Sequence, residues 1–166
     1  FQLVIPAPSP TDAWTKTSVL AAIAGVFEPH GLISPALLRG KLFLQQLWKE
    51  KYGWKTVLAE PLQAEFNDIV DEWAAHPKFT INRRLTKRTG PLSFQLHTFV
   101  DASAIAYSAI VYVRIEAESG VEMVPIFAKS RVGPIPNITI PRMELIAFVT
   151  GVRATKFVLK ELNLTF

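Results

Sequence analysis

The hydrophobic period of this chain changes once, close to Pro91. Before that point, apolar residues recur at the spacing of roughly 3.6 residues that amphipathic helices show. After it, apolar and polar residues alternate as on half-buried strands, most clearly at every second position from Ile105 to Ile115. A helix-forming half therefore precedes a strand-forming half, and we predict two domains, residues 1–90 and 91–166.

Three helices are predicted in the first half, after an extended, proline-containing lead-in over residues 1–15. The first helix covers the apolar run 17–27. The second follows Ser34, which is a good N-cap, and continues to about Tyr52. The third covers residues 61–75 and places its apolar side chains on one stripe.

The second half is predicted to form a three-stranded antiparallel meander covered by one helix. Strands are expected over residues 92–101, 105–115 and 121–128, with short links between them. Pro125 has no N–H to donate to a ladder, so the third strand is expected at a sheet edge. The helix is expected over residues 139–162, which makes the fold class α+β.

Composition limits where the chain functions. Hydrophobic residues make up 49% and charged residues 19%, as in a globular protein. Cysteine is absent, which excludes disulfides and thiolate zinc sites. No apolar run reaches the roughly 20 residues that cross a bilayer, and the start lacks a signal peptide. We therefore expect an intracellular protein, cytoplasmic or nuclear, with no membrane partner; its first residue, Phe1, suggests a segment of a longer chain.

Two carboxylates are candidate ligands for a divalent metal. Asp101 follows an apolar strand, and Glu144 falls in the predicted first turn of the last helix. Rigid elements suit metal coordination, but Asp101 also suits a turn and Glu144 the positive end of a helix, so spacing alone leaves both readings open. Ala147 and Gly151 are small residues that share the helix face of Glu144, which would let the helix approach the sheet.

Two groups of basic residues are candidate phosphate contacts. The net charge of +4 permits a polyanionic partner without demonstrating one. The first group forms one patch: Arg83, Arg84, Lys87 and Arg88. The second group flanks the two acids: Lys129, Arg131 and Arg142. The first group is equally typical of a solvated linker, whereas the second is more typical of exposed charge at a strand end and a helix start.

Other residue groups give weaker signals. The spacings of Trp48, Trp54 and Trp73 are more typical of a core than of a base-stacking surface. The three histidines share no ligand spacing, so a histidine-rich zinc site is not expected. The aspartic-protease sequence D-[ST]-G is absent, as are the G-x-S-x-G, Walker and G-x-G-x-x-G motifs.

Several motifs, taken in order, match a known family over nearly the whole chain. The first half contains Thr15-Lys16-Thr17-Ser18-Val19-Leu20, Val26-Phe27-Glu28-Pro29-His30-Gly31-Leu32-Ile33-Ser34-Pro35 and Leu44-Gln45-Gln46-Leu47-Trp48. The second half contains Leu96-His97-Thr98-Phe99-Val100-Asp101-Ala102-Ser103, Ala128-Lys129-Ser130-Arg131-Val132 and Ile140-Pro141-Arg142-Met143-Glu144-Leu145. Together they resemble the pol polyprotein of BEL/Pao-type LTR retrotransposons, across the join between reverse transcriptase and ribonuclease H.

This resemblance implies a helical thumb- or connection-like segment followed by the N-terminal half of a ribonuclease H-like domain. It implies that Asp101 and Glu144 hold catalytic Mg²⁺ or Mn²⁺ for cleavage of RNA in RNA–DNA hybrids. Ser103 and the two basic groups are then expected to contact the hybrid. The family's fold needs a further acid-bearing strand, expected beyond Phe166 in the rest of the polyprotein. We therefore expect metal binding only with those downstream acids, and an inactive isolated chain.

Two alternatives remain from different functional classes. One is a non-catalytic connection module that binds nucleic acid through residues 83–88 and the helices before them. The other is an aspartic-type peptidase, because this family segment has also been described as one. The peptidase reading is disfavoured, since it requires the D-[ST]-G loop that the sequence lacks.

Overall fold

The computed structural model describes residues 2–3, 5–8, 12–27, 30–75, 79–136 and 138–162. Within these ranges it contains four helices and five strands. Their bounds in chain order are β1 Gln2–Leu3, α1 Lys16–Ala24, α2 Ser34–Lys49, α3 Glu60–Ala75, β2 Phe79–Thr80, β3 Ser93–Ala102, β4 Ala106–Ala117, β5 Gly120–Val132 and α4 Ile140–Glu161. None of these helices is long and apolar enough to cross a membrane.

The chain separates into two compact units. The first comprises Phe1–Pro29 and Pro35–Ile81, and the second comprises His30–Ser34 and Asn82–Phe166. The first unit therefore holds most of the helices, and the second holds the three long strands with α4.

The first unit is built from α1, α2 and α3 around one apolar core. Phe66 of α3 is fully buried there, and its ring centroid lies 4.7 Å from Trp14, 5.1 Å from Phe43 and 6.1 Å from Trp73. The indole N–H of Trp73 donates to the carbonyl of Ala36 at 3.0 Å, so this buried polar atom is satisfied. The three helices predicted from the hydrophobic period are confirmed.

The start of the first unit differs from the sequence expectation in two details. The hydroxyl of Thr15 accepts the N–H of Ser18 at 3.2 Å, and the hydroxyl of Ser18 accepts the N–H of Thr15 at 2.9 Å. This capping box starts α1 at Lys16. The expected extended lead-in, parts of which lie outside the described residues, also contains β1, which pairs antiparallel with β2. A strand of two residues is too short to be recognised from the alternation of apolar and polar residues.

The second unit contains the predicted meander, with strand order β3-β4-β5 and antiparallel pairing throughout. Among the described strands β5 pairs only with β4, so Pro125 lies on an edge strand as predicted. Val111 pairs with Phe127 and Tyr112 with Pro125, which leaves Ile126 as the extra residue of a bulge. The α+β class, with one three-stranded sheet and one packed helix, is confirmed.

One face of the sheet is covered by α4, which presents a stripe of mostly small side chains. Its buried residues are Met143, Ala147, Gly151, Ala154 and Val158. A Cβ built on Gly151 would lie 2.4 Å from Cγ1 of Val100 and 3.3 Å from Cγ2 of Thr98. The helix backbone therefore approaches β3 closely at Gly151. Because side chains alternate along a strand, the even-numbered residues of β3 face α4 and the odd-numbered ones face away.

The outer edge of β5 is partly covered by residues 30–34 of the same unit. The N–H of Ala128 donates to the carbonyl of His30. Gly31 has a φ of 75°, and a Cβ at this position would overlap the carbonyl of Ala128. Both the backbone conformation and the close approach therefore require glycine. The contact also shields part of an otherwise open strand edge.

Candidate functional site

Asp101 is exposed and occupies the next-to-last position of β3. It pairs in register with Ser108 of β4. Since Val100 contacts α4 at Gly151, the alternation of the strand places Asp101 on the opposite face of the sheet, together with Phe99. The candidate carboxylate therefore lies at the end of an edge strand rather than under the helix.

Glu144 is exposed on α4, but it lies just beyond the first turn rather than within it as predicted. The helix begins at Ile140, after the N-cap residue Thr139, and its first turn contains no acidic residue. Because the attraction between a carboxylate and the helix dipole falls off within the first turn, this interaction stabilises Glu144 only weakly. Stabilisation of the helix start is therefore a weaker explanation for an acid at position 144 than it would be within the first turn.

The two carboxylates lie at the same end of the sheet. A Cβ on Gly133 would lie 3.0 Å from Cε of Met143, so α4 begins beside Gly133. The N–H of Gly133 in turn donates to the carbonyl of Ile105 at 2.7 Å, in the link between β3 and β4. Asp101 precedes that link by a few residues, and Glu144 directly follows Met143.

Glu144 also projects from the side of α4 that is nearer to β3. Gly151 and Thr155 follow it by seven and eleven residues, which is the spacing of one helix stripe. Gly151 meets Val100, and the hydroxyls of Thr155 and Thr98 are hydrogen-bonded. A Cβ on Gly151 would also lie 3.9 Å from Cβ of Ala109, so this stripe packs on β3 and on the neighbouring part of β4. Asp101 and Glu144 thus lie at the same end of the sheet, Asp101 on the face away from α4 and Glu144 on α4 itself.

Both carboxylates are available to an external ligand. Among the described residues, neither takes part in an ion pair or a side-chain hydrogen bond, and both are exposed. Carboxylate oxygens are preferred ligands of Mg²⁺ and Mn²⁺. The described part of the chain contains no group of three or more His, Cys, Asp or Glu residues placed to hold a metal. Two carboxylates leave most of the roughly six positions around Mg²⁺ to other ligands.

Ser103 closes the hairpin between β3 and β4. Its hydroxyl accepts the N–H groups of Ile105 at 3.3 Å and Ala106 at 3.2 Å, and donates to the carbonyl of Ala106. The N–H of Ser103 donates to the same carbonyl at 2.8 Å. These bonds stabilise a tight turn at the end of the sheet that carries Asp101. Contact between Ser103 and nucleic acid stays a prediction.

The basic residues near the acids do not all lie on one surface. Lys129 and Arg131 pair in register with Ala109 and Tyr107, and they face the side of the sheet that α4 covers. There they line a groove together with Arg153 of α4, a residue that the sequence reasoning missed. Arg142 is exposed in the first turn of α4.

In the basic patch, Arg88 forms side-chain contacts with the neighbouring hairpin, whereas the other members are exposed. The guanidinium of Arg88 donates to the hydroxyl of Ser119 at 2.6 Å and lies 3.6 Å from the carboxylate of Glu122. Arg88 therefore holds this segment against the hairpin between β4 and β5, at the sheet end opposite Asp101. The exposed members of the patch are Arg83, Arg84 and Lys87.

The three tryptophans considered above as a possible base-stacking surface differ in burial. Trp73 is buried as expected, whereas Trp48 and Trp54 are 51% and 46% exposed, so the core expectation is wrong for these two. Their rings meet edge-on at 5.3 Å, and the ammonium of Lys16 lies 3.4 Å from the centroid of Trp48. Lys16 is only 2% exposed and donates to the carbonyl of Tyr52. The pair therefore shields a buried cation through cation–π contact.

Comparison with known proteins adds a family assignment. The model of a family described as the Pao retrotransposon-like RNaseH-like domain matches residues 15–166, which include the second unit and the first unit from Thr15 onward. No curated protein matches the chain. The matched region contains both candidate carboxylates and all the candidate basic residues.

Proposed function

The chain belongs to the Pao retrotransposon-like RNaseH-like domain family, and on that premise we propose that it provides part of a metal-dependent nuclease site. In this proposal Asp101 and Glu144 are two of the carboxylates that hold Mg²⁺ or Mn²⁺. The substrate is the RNA strand of an RNA–DNA hybrid. The site belongs to a retrotransposon pol polyprotein that also supplies reverse transcriptase and the remaining acids.

The observation that carries the proposal is that two exposed carboxylates lie at one end of the sheet, Asp101 near the end of β3 and Glu144 near the start of α4. β3 pairs only with β4 among the described strands, so its other edge can accept a further strand. A groove of about 380 Å³ runs along that side, and its walls include Thr98, Val100, Phe148 and Val152. A strand that pairs with this edge of β3 would cover the groove. An acid on that strand, near the level of Asp101, would add a third ligand.

The chemistry follows from what carboxylates do for a divalent ion. Asp101 and Glu144 would hold the ion through negatively charged oxygens that form no ion pair with another described group. Bound there, a divalent ion would supply Lewis-acid chemistry: activation of a water and stabilisation of charge on the leaving oxygen of the phosphodiester. The rigid strand and helix keep the two carboxylates in place, which is the requirement for productive geometry.

The first test uses the 166-residue chain itself. We expect it not to cleave a labelled RNA–DNA hybrid in the presence of Mg²⁺, because Asp101 and Glu144 alone give an incomplete ligand set. Metal-dependent cleavage that is lost in Asp101→Asn would show instead that two acids suffice in this chain.

The second test uses a longer protein that includes the acid-bearing strand expected beside β3. We expect hybrid cleavage, and a loss of about a hundredfold or more when Asp101 is replaced by Asn. Asp68→Asn, which removes an exposed acid from α3, is the matched control and should leave the rate unchanged. Equal rates for Asp101→Asn and the control would refute the assignment.

A second candidate function is non-catalytic binding of nucleic acid by the basic patch. The exposure of Arg83, Arg84 and Lys87 favours it, because their charged groups are open to phosphates. Replacing these three by Gln should weaken hybrid binding and flatten its dependence on salt. Binding that is insensitive to salt would count against this function.

A further inference from the structure

The side of α4 that faces β5 carries a groove whose chemistry differs from that of the candidate metal site. It has a volume of about 380 Å³ and is lined by Phe127, Lys129, Arg131, Thr150, Arg153 and Phe157. We name it the β5–α4 groove. It lies on the face of the sheet that α4 covers, whereas Asp101 lies on the opposite face. A ligand in this groove is therefore separated from Asp101 by the thickness of the sheet.

Three cationic side chains converge on this groove from two elements. Lys129 and Arg131 stand at alternate positions of β5, so both point to the same face of the sheet. Arg153 approaches from α4. All three residues are exposed, and none forms an ion pair within the described ranges. Like charges held together without a carboxylate repel one another, and an anionic ligand would relieve that repulsion.

Aromatic surface lies directly beside these charges. Phe157 is 50% exposed, and its ring centroid lies 5.5 Å from that of Phe127 at an interplanar angle of 50°. The hydroxyl of Thr150 donates to the carbonyl of Ile146 within α4, so its hydrogen is already committed. The groove therefore offers positive charge and a flat apolar ring, without a carboxylate among its lining residues.

We propose that the β5–α4 groove binds single-stranded nucleic acid, with Lys129, Arg131 and Arg153 contacting phosphates and Phe157 stacking on a base. Proteins bind single strands through cationic side chains that contact phosphates and aromatic rings on which bases stack. Every unpaired base has a face available for such stacking. The acidic side chains of a peptide would pair with the charges but would not stack on the ring of Phe157. A duplex keeps its bases stacked inside, so it gains nothing from that ring. The proposal goes beyond RNA cleavage and does not depend on it.

The test is equilibrium binding of the 166-residue chain to fluorescein-labelled oligothymidylate and oligouridylate, followed by anisotropy in EDTA so that no metal-dependent reaction contributes. The triple variant Lys129→Gln, Arg131→Gln, Arg153→Gln should bind at least about thirtyfold more weakly. The slope of log affinity against log salt should fall by about 2, at about 0.7 for each lost phosphate contact of a single strand. Phe157→Ala should weaken binding about tenfold without changing that slope.

The matched control removes the same charge elsewhere. Lys49→Gln, Lys55→Gln, Lys160→Gln replaces three exposed lysines outside the groove and should retain most of the affinity. Far-UV circular dichroism checks that each variant is folded. Equal losses in the two triple variants would overturn the proposal, because binding would then follow net charge alone. Tighter binding of polyglutamate or of an RNA–DNA hybrid than of either single strand would also overturn it.

Discussion

The two sides of α4 flank one buried stripe, but their side chains differ in charge and polarity. On the β3 side lie the carboxylate of Glu144, the apolar ring of Phe148 and the hydroxyl of Thr155, which is bonded to Thr98. On the β5 side lie the charged Arg153 and the exposed ring of Phe157, opposite two more cations of β5. We propose a metal ion and an added strand on the β3 side, and phosphates and bases on the β5 side.

The residues that pack α4 on the sheet are therefore distinct from the residues that we propose as ligand contacts on the same helix. The small residues of the stripe, such as Gly151, set how close the helix lies to the sheet. Several flanking residues are exposed, among them Glu144, Phe148, Arg153 and Phe157. Substitutions in the stripe should therefore affect both sides together, whereas substitutions on one side should leave the other unchanged.

The largest effect is expected from Gly151→Val, which tests the shared stripe. Even a single Cβ at this position would lie 2.4 Å from Cγ1 of Val100, so a valine must push α4 away from β3. We expect the free energy of unfolding to fall by about 2 to 3 kcal/mol, measured by urea denaturation. Val149→Ala, at an exposed position of the same helix, should cost far less. Equal stability of Gly151→Val and the wild type would mean that the close approach does not support the fold.

The next prediction concerns a bond on the β3 side alone. Thr155 donates its only hydroxyl hydrogen to the carbonyl of Gly151 at 2.9 Å, so Thr98 must be the donor in the bond between the two threonines. Thr155→Val leaves that donor without its acceptor and should cost about 1 to 2 kcal/mol.

A double-mutant cycle with Thr98→Val isolates this bond. The double variant should cost less than the sum of the two single variants, because no hydroxyl is then left unsatisfied. Thr150→Val is the control on the β5 side, since its hydroxyl bonds only within its own helix turn. Strict additivity in the cycle would show that the bond contributes nothing to holding α4 on β3.

Periodicity was sufficient to predict the elements of the second unit but not the grouping of side chains between them. The alternation from Ile105 to Ile115 and the helical pattern after Thr139 correspond to β4 and α4. The assignment of Asp101 and Glu144 as a pair came from the motifs around them. Arg153 was missed because its neighbours Lys129 and Arg131 lie more than twenty residues earlier on another element, and only the packing of α4 brings them to one groove.

Burial of the tryptophans could not be predicted for a related reason. Trp48 and Trp73 both occupy helices at spacings that a core would also produce. Trp73 packs close to Gly40, where a Cβ would lie 2.6 Å from its ring, and this notch accommodates the indole. Trp48 instead covers the ammonium of Lys16 and keeps half of its surface exposed. Which partner each ring meets depends on tertiary packing rather than on local pattern.

A smaller effect is expected on the affinity for oligothymidylate, which should respond to substitutions on the β5 side of α4 and not to those on the β3 side. Arg153 lines the β5–α4 groove, and Lys156, three residues later, lines the groove on the β3 side. Arg153→Gln should weaken binding of oligothymidylate by about threefold to fivefold, as expected for one lost phosphate contact. Lys156→Gln removes the same charge and should change the affinity by less than about twofold. Equal losses in both variants would indicate diffuse attraction to the whole helix.

The smallest effect on stability is expected from substitution of Glu144. The same substitution is expected to have a large effect on cleavage, so the two measurements separate a structural role from a functional one. Because Glu144 lies just past the first turn of α4 and has no ion-pair partner among the described residues, Glu144→Gln should change the free energy of unfolding by only about a few tenths of a kcal/mol. In the longer protein, the same substitution should remove most metal-dependent cleavage. A stability loss above about 1 kcal/mol would instead identify Glu144 as a structural residue of the helix start, since an exposed acid without a partner has no other means of contributing so much. Urea denaturation and the cleavage assay, applied to this one variant, therefore distinguish a metal ligand from a helix-stabilising charge.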